Sequence, residues 1–289
     1  MSDDGASSIV VIAMLGNAFS PRWARARERD PAASSLDFSA MNVALRSGSS
    51  SRWVLTERAR GSVARSADHV AVGSSEMTWQ GDDLVVRIDE RSAPWRERVR
   101  GTIRLVPLAH SDLVVDLDPR GLHTWSPRIP IARVEVDFEE PRVHFRGTGY
   151  FDMNQGAGPL EGTFASWSWS RVSDGRRVAI AYDVAMRNGA SRARTFAGSR
   201  GQALVPALHE AVVELPTTRF GLTRTARAEA GPITLVRTLE DGPFYARSVV
   251  STTLDGSRAI GMHETVSLDR FRSAWVKFLV PFRMRVEAA

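Results

Sequence analysis

Apolar and polar residues alternate along this chain in short runs closed by Gly, Pro, Asp or Ser, and no long stretch repeats every 3.6 residues. A period of two belongs to strands with one buried face, so the pattern predicts an all-β protein. The clearest runs are Thr78-Trp79-Gln80 and Leu84 to Ile88 on either side of Gly81-Asp82-Asp83, followed by Val99 to Val106. Later, Val134 to Phe138 turns at Glu139-Glu140-Pro141 into Val143 to Arg146, a second hairpin. The apolar run Ile9 to Leu15 reads as a buried strand. Only Pro21 to Asp30 looks helical, with Pro21 in its first turn and Ser20 as the N-cap. Residues 188–202, rich in Gly, Ser, Ala and Arg, read as a loop or a weak edge strand. The breaker cluster Gly156-Ala157-Gly158-Pro159 precedes a fresh series of strands at Trp167-Ser168-Trp169 and Val178 to Val184. It places a domain boundary near residue 160 and divides the chain into 1–160, which carries the reactive motifs described below, and 161–289.

Composition narrows the chemistry. With 289 residues, 43% apolar and 25% charged, the chain is long enough for two domains with their own cores and too apolar for disorder. It has no cysteine, which excludes disulfides, thiolate metal sites and cysteine nucleophiles. None of its six histidines has a close metal-ligand spacing, so neither a metal nor a cofactor is expected. All but one of the 38 basic residues are arginines, the exception being Lys277, and they are spread along the whole chain. No nucleic-acid-binding motif accompanies the net charge of +5, so no nucleic-acid partner is expected. Ile9 to Leu15 falls far short of the roughly 20 residues of a membrane span, and Asp3 and Asp4 stand where a signal peptide carries positive charge.

Two motifs stand out against this background, Gly121-Leu122-His123-Thr124-Trp125 and Gly149-Tyr150-Phe151-Asp152-Met153-Asn154-Gln155-Gly156. Each presents two reactive side chains at i and i+2, which an extended strand points to one face. His123 with Trp125, and Tyr150 with Asp152, would form a cluster with a proton donor, a proton relay and an aromatic face, the equipment of acid chemistry without a cofactor. Each residue also has an ordinary structural reading. Asp152 precedes Asn154 and Gly156 as a turn aspartate would, Trp125 is one of eight tryptophans that can fill a core, and His123 and Tyr150 are residue types that commonly satisfy buried hydrogen bonds. Trp167 and Trp169 form a further i, i+2 pair that either lines a channel for a long apolar substrate or packs a core. His144 and His263 read as structural.

Further segments fall in a telling order: Ser2-Asp3-Asp4-Gly5, Phe19-Ser20-Pro21, Met41-Asn42-Val43-Ala44-Leu45, Thr56-Glu57-Arg58, Gly149-Tyr150-Phe151-Asp152, Trp167-Ser168-Trp169-Ser170-Arg171, Glu240-Asp241-Gly242-Pro243-Phe244-Tyr245-Ala246-Arg247-Ser248 and Pro281-Phe282-Arg283-Met284. Over nearly its whole length the chain resembles the carotenoid 1,2-hydratases, or hydroxyneurosporene synthases, of purple photosynthetic bacteria. The resemblance implies two tandem lipocalin-like β-barrel domains. It also implies a cofactor-independent hydro-lyase that adds water to the terminal C1=C2 bond of acyclic carotenoids such as neurosporene or lycopene, in carotenoid biosynthesis. By motif, the functional residues of the family fall on His123, Trp125, Tyr150 and Asp152. Family members usually carry an aromatic-rich strand ahead of Ser-Asp-Asp-Gly, whereas this chain begins at Met1 immediately before it, so the expectation is either a misplaced start or a missing first strand, which would leave a barrel edge unpaired.

The chemistry then assigns roles. Hydrating a trisubstituted alkene requires protonation of the less substituted carbon and capture of a tertiary cation by water. Asp152 is the candidate acid, since burial raises a carboxyl by up to about 3–5 units above its reference near 3.9. Trp125 would offer a π face to the cation, His123 would relay a proton, Tyr150 would hold water or bond to Asp152, and Trp167 and Trp169 would contact the polyene. So insoluble a substrate is collected from a membrane, and Trp275, Phe278, Leu279, Phe282 and Met284, with Lys277, Arg283 and Arg285, suit either interfacial contact or core burial. An intracellular protein peripheral to the inner or photosynthetic membrane is expected. The rival readings are a related enzyme acting on another terpenoid or catalysing a cyclisation, and a lipid or pigment carrier without catalysis.

Overall fold

Alternating sequence becomes strand almost throughout the computed structural model, which describes residues 1–208, 211–228 and 230–287. By packing, the chain divides into two compact units: Met1–Val106 with Arg133–Thr148 and Lys277–Ala289, and Pro107–Ala132 with Gly149–Val276. Consecutive halves meeting near residue 160 were the sequence expectation, whereas these units interleave. The glycine-rich breaker marks a break in the chain path, and packing follows a different line. Two long strands, described below, are each divided, residues 123–132 and 149–156 falling in the second unit and 133–140 and 143–148 in the first.

In the first unit, β1 (Ser7–Met14) leads through the helix α1 (Pro21–Arg29) to β2 (Ser39–Ser47) and β3 (Ser50–Arg58). The helix starts as expected, with Ser20 Oγ accepting the Trp23 N–H at 3.2 Å. These strands pair antiparallel, and the C-terminal strand Arg285–Glu287 lies parallel to β3. β1 therefore forms an edge of a four-stranded sheet. Its expected burial is only partial, and Ile12 stays 40% exposed on this strand, beyond which no strand pairs among the described residues. The larger sheet runs through β4 (Val63–Arg65), β5 (His69–Val72), β6 (Ser75–Gln80), β7 (Asp83–Arg91) and β8 (Arg98–Ala109). It continues with the two long strands, β10 (His123–Glu140) and β11 (Val143–Gly156), and the short β9 (Val115–Asp116) pairs with β10. Met41, Val43, Leu45, Val54, Val99, Val136 and Phe138 are buried in this unit. The Thr56-Glu57-Arg58 segment is structural. Arg58 grips the buried Glu90 through two 2.9 Å bonds and reaches Glu287 of the C-terminal strand, while buried Glu57 receives Arg22 of α1 at 2.7 Å. Desolvation offsets much of the attraction in a buried pair such as Arg58–Glu90, but removing one partner would strand a buried charge.

The second unit begins its own sheet after the short helix α2 (Leu160–Thr163). β12 (Phe164–Ser173), β13 (Arg177–Met186), β14 (Ser191–Ser199), β15 (Val205–Pro206), β18 (Ala230–Asp241), β19 (Tyr245–Leu254) and β20 (Ser257–Ser267) form a seven-stranded sheet in the order β15-β14-β13-β12-β20-β19-β18, and β16 (Ala211–Leu215) and β17 (Arg224–Ala228) form a separate pair. The segment expected as a loop or weak edge is the full strand β14, in register with β13 from Arg177↔Ser199 to Ala185↔Ser191. A paired neighbour overrides the weak local preference of Gly and Ser.

The two faces of this sheet differ. On one, Val172, Ala179, Val250, Leu254 and Ala259 pack with Leu215, Ala226 and Ala228 of the two-stranded ribbon in a small-residue core. His263 belongs to that side, fully buried, with Nε2 3.2 Å from Ser168 Oγ and 2.9 Å from the Thr225 carbonyl, a structural role as expected. The opposite face carries Trp167, Trp169 and Arg171 from β12 and receives the second-unit ends of β10 and β11.

Candidate active site

The site is built first by a turn. Asp118-Pro119-Arg120-Gly121 reverses the chain, with Gly121 at φ +65°, where a Cβ would be strained. Asp118 closes the turn, its carboxylate accepting the backbone N–H of Arg120 at 2.9 Å and of His123 at 2.8 Å. β10 then leaves in a fixed direction with His123 and Trp125 directed to one side, both buried.

The neighbouring strand β11 brings Tyr150 and Asp152 to the same place. The Trp125 indole N–H donates to Asp152 Oδ2 at 2.8 Å, and the Tyr150 hydroxyl donates to the same oxygen at 3.1 Å. Trp125 has no exposed surface. Tyr182 meets it edge-on with ring centres 5.6 Å apart, and Phe196 packs at 5.8 Å. The ring is fully buried, and its indole N–H reaches the carboxyl. The aromatic surface beside Asp152 comes from Tyr150 and Trp169, whose rings lie 5.4 Å apart and are each half-buried. Arg171, buried next to Tyr150, spends its donors on the Pro130 carbonyl at 3.0 and 3.2 Å.

Electrostatics follow from these surroundings. Protein encloses Asp152 while leaving part of it open, and desolvation pushes its carboxyl up to about 6. The bonds from Trp125 and Tyr150 oppose that rise, and the charge of Glu264 adds to it. Burial, reinforced by the adjacent carboxylate, drives the Tyr150 hydroxyl well above its ordinary value, so it remains a donor. Burial also lowers Arg171 to about 10, which leaves it cationic at neutral pH.

His123 is placed differently from expectation. Its Nε2 lies 3.2 Å from Thr163 Oγ1 in α2, and its ring stands 5.0 Å from Phe164. No hydrogen bond joins it to Asp152 among the described residues. Desolvation lowers its pKa and keeps the imidazole neutral. Gly156, at the end of β11, passes so near that a Cβ there would fall 2.6 Å from Nδ1. Trp167 meets Phe164 edge-on at 6.5 Å. One line of contact therefore runs Trp169–Tyr150–Asp152–Trp125 and another Trp167–Phe164–His123. His144 lies outside both, exposed and 3.8 Å from Asp137.

Sequence reasoning passed over Asp118, Thr163, Tyr182, Phe196 and Glu264. The Asp-Pro-x-Gly turn was a legible signal for the first. The others have none, since Thr163 reaches the site from α2 and Tyr182, Phe196 and Glu264 reach it through strand pairing.

This geometry has relatives. Residues 11–288 match the carotenoid hydratase CrtC family, almost the entire chain. The chain belongs to that family. An acyclic carotenoid 1,2-hydratase from Thiocapsa roseopersicina is 43% identical over 291 aligned positions, which take in 98% of this chain and 70% of the relative. That of Rhodobacter capsulatus is 33% identical over 279 positions, 95% of this chain and 96% of the relative. Among solved structures, a putative AttH from Nitrosomonas europaea is similar with a TM-score of 0.59 at 16% identity, covering 79% of this chain and 81% of that one. That likeness bears on the fold alone and agrees with an all-β, lipocalin-like class for this CrtC-family chain.

Proposed function

We propose that this chain is an acyclic carotenoid 1,2-hydratase that adds water across the terminal C1=C2 bond of a neurosporene- or lycopene-type substrate, with Asp152 as the proton donor. The observation that carries the reading is a carboxyl held near 6 between aromatic side chains, with two donors on one of its oxygens. Because Oδ2 accepts both Trp125 and Tyr150, the acidic proton belongs on Oδ1. Transfer to C2 uses the π pair to form the C–H bond and leaves a tertiary cation at C1, and the two donors stabilise the carboxylate that remains. Tyr150 and Trp169 offer the cation its aromatic surface. Trp167 and Trp169 contact the polyene, and His123 is a positioning residue that braces the end of β11 against α2.

A substrate so insoluble is taken from a membrane. Among the described residues no helix is long and apolar enough to cross one. The reading instead uses the C-terminal segment, where Phe278 and Phe282 are 69% and 65% exposed and meet edge-on with ring centres 5.4 Å apart, beside Lys277. Aromatic side chains next to a cation suit peripheral contact with a lipid surface. Met284 from the same stretch is buried instead, packed with Ala40 and Leu55.

The test is anaerobic incubation with lycopene or neurosporene in isotopically labelled water, followed by mass determination of the product. A labelled tertiary alcohol supports the reading. An isomer of unchanged mass would indicate cyclisation, and unaltered substrate bound at stoichiometric amounts would indicate a carrier.

A further inference from the structure

Hydration also has to dispose of a proton. Once water adds to the cation, the oxonium formed must lose H⁺ to some base, and that assignment rests on the hydratase reading above. Strand register supplies a candidate. Directly opposed residues of antiparallel neighbours project to the same face, and one such row crosses the second-unit sheet. Arg194 faces Tyr182, Tyr182 faces Trp169, Trp169 faces Glu264, Glu264 faces Arg247, and Arg247 faces Glu240.

The row has two halves. Tyr182 and Trp169 are the aromatic half, and they touch Trp125 and Tyr150, the partners of Asp152. Glu264, Arg247 and Glu240 are the ionic half. Arg247 is buried and donates from Nε to Glu264 at 2.8 Å and from Nη1 to Glu240 at 3.2 Å. One cation thus bridges two carboxylates. At the junction stands Trp169, whose buried indole N–H has no acceptor among the described residues. Trp169 and Glu264 are direct register partners, and a donor and a carboxylate on opposed positions of one face suit a nucleophilic water, since the N–H donates to its oxygen and the carboxylate accepts one of its protons.

We propose that Glu264 is the general base of the hydration and that Trp169 N–H and Glu264 together hold the attacking water. Asp152 gives its proton to C2, water oxygen forms the bond to C1, and the oxonium passes its proton to Glu264. Solvent exchange then returns Glu264 to carboxylate and Asp152 to acid, so the net change is addition of H and OH. Asp152 is poorly suited to the second task. After protonating C2 its charge is stabilised by two donors, and it has been spent on the neighbouring carbon. Two carboxyl groups in contrasting environments then divide acid and base roles.

The experiment compares wild type, Asp152→Asn, Glu264→Gln and Glu264→Asp on lycopene, with and without sodium azide, separating tertiary alcohol from tertiary azide by chromatography and mass. Azide captures a cation without needing a base. Glu264→Gln is expected to lose alcohol formation by a factor of about 10²–10⁴ while still forming the azide product, whereas Asp152→Asn forms neither. Glu264→Asp retains a charge opposite Arg247 and is expected to give a higher azide-to-alcohol ratio than wild type, a ratio independent of how much protein is folded. Near-normal alcohol formation by Glu264→Gln, or a wild-type product ratio in Glu264→Asp, would overturn the assignment. A wild type that forms neither product overturns the hydratase reading along with it.

Discussion

Replacing Asp152 by Asn is expected to abolish hydration and at the same time to stabilise the protein at neutral pH. The unfolded carboxyl titrates near 3.8 and the folded one near 6, so the native state binds this proton more tightly than the unfolded state does. Stability from this group is therefore fully present below about pH 4, declines as pH rises to about 6, and stays reduced above that. The difference of about 2 units corresponds to at most roughly 3 kcal/mol. Asn cannot ionise, and its single Oδ1 can still accept from both Trp125 and Tyr150. For a unit of this size about 2–4 °C accompany each kcal/mol, so the variant should melt up to roughly 6–12 °C above wild type at pH 8. The gap should close near pH 4. Thermal unfolding from pH 4 to 8, paired with the rate of alcohol formation, measures both effects, and the rate should fall by about 10²–10⁴. A variant equal to or less stable than wild type at pH 8, or a gap that does not change with pH, would show that folding does not raise the carboxyl's affinity for its proton.

Trp125→Phe removes a hydrogen bond that favours the carboxylate. At about 1.5–3 kcal/mol for a bond to a charged group, it should move the Asp152 midpoint from about 6 upward by about 1–2 units, and infrared titration of the carboxyl in the free protein would expose an unchanged value. Gly156→Ala drives a methyl into His123, whose ring is held by Thr163 and Phe164, so it should cost about 1–3 kcal/mol in thermal unfolding and lower the hydration rate. A fully stable, fully active variant would contradict the proposed brace. Phe278→Ser combined with Phe282→Ser should leave the melting temperature nearly unchanged, because both rings are mostly exposed, yet weaken flotation with anionic vesicles several-fold. Equal flotation of variant and wild type would move the membrane contact elsewhere.

Local physics made much of this protein legible from sequence. Period-two alternation determines strands, and so the all-β class. Ser20-Pro21 determines where the helix begins, because a side-chain cap and a fixed φ act within one turn. The i, i+2 spacing of Tyr150 and Asp152 determines that both side chains leave one face of a strand, and the two prove to be hydrogen-bonded. What depends on partners distant in sequence was decided by tertiary structure. A weak strand at residues 191–199 is secured by its neighbour, and the two compact units cut across the glycine-rich break because long strands can serve two cores. Trp125 directs its N–H to Asp152 and packs its ring against Tyr182 and Phe196, partners that only folding supplies. Glu264 comes beside Trp169 only through the register of β12 with β20, almost a hundred residues apart in sequence. A carboxyl's pKa belongs to this second class as well: the sequence names Asp152, but its affinity for a proton is set by the donors, charges and apolar surfaces that folding gathers around it.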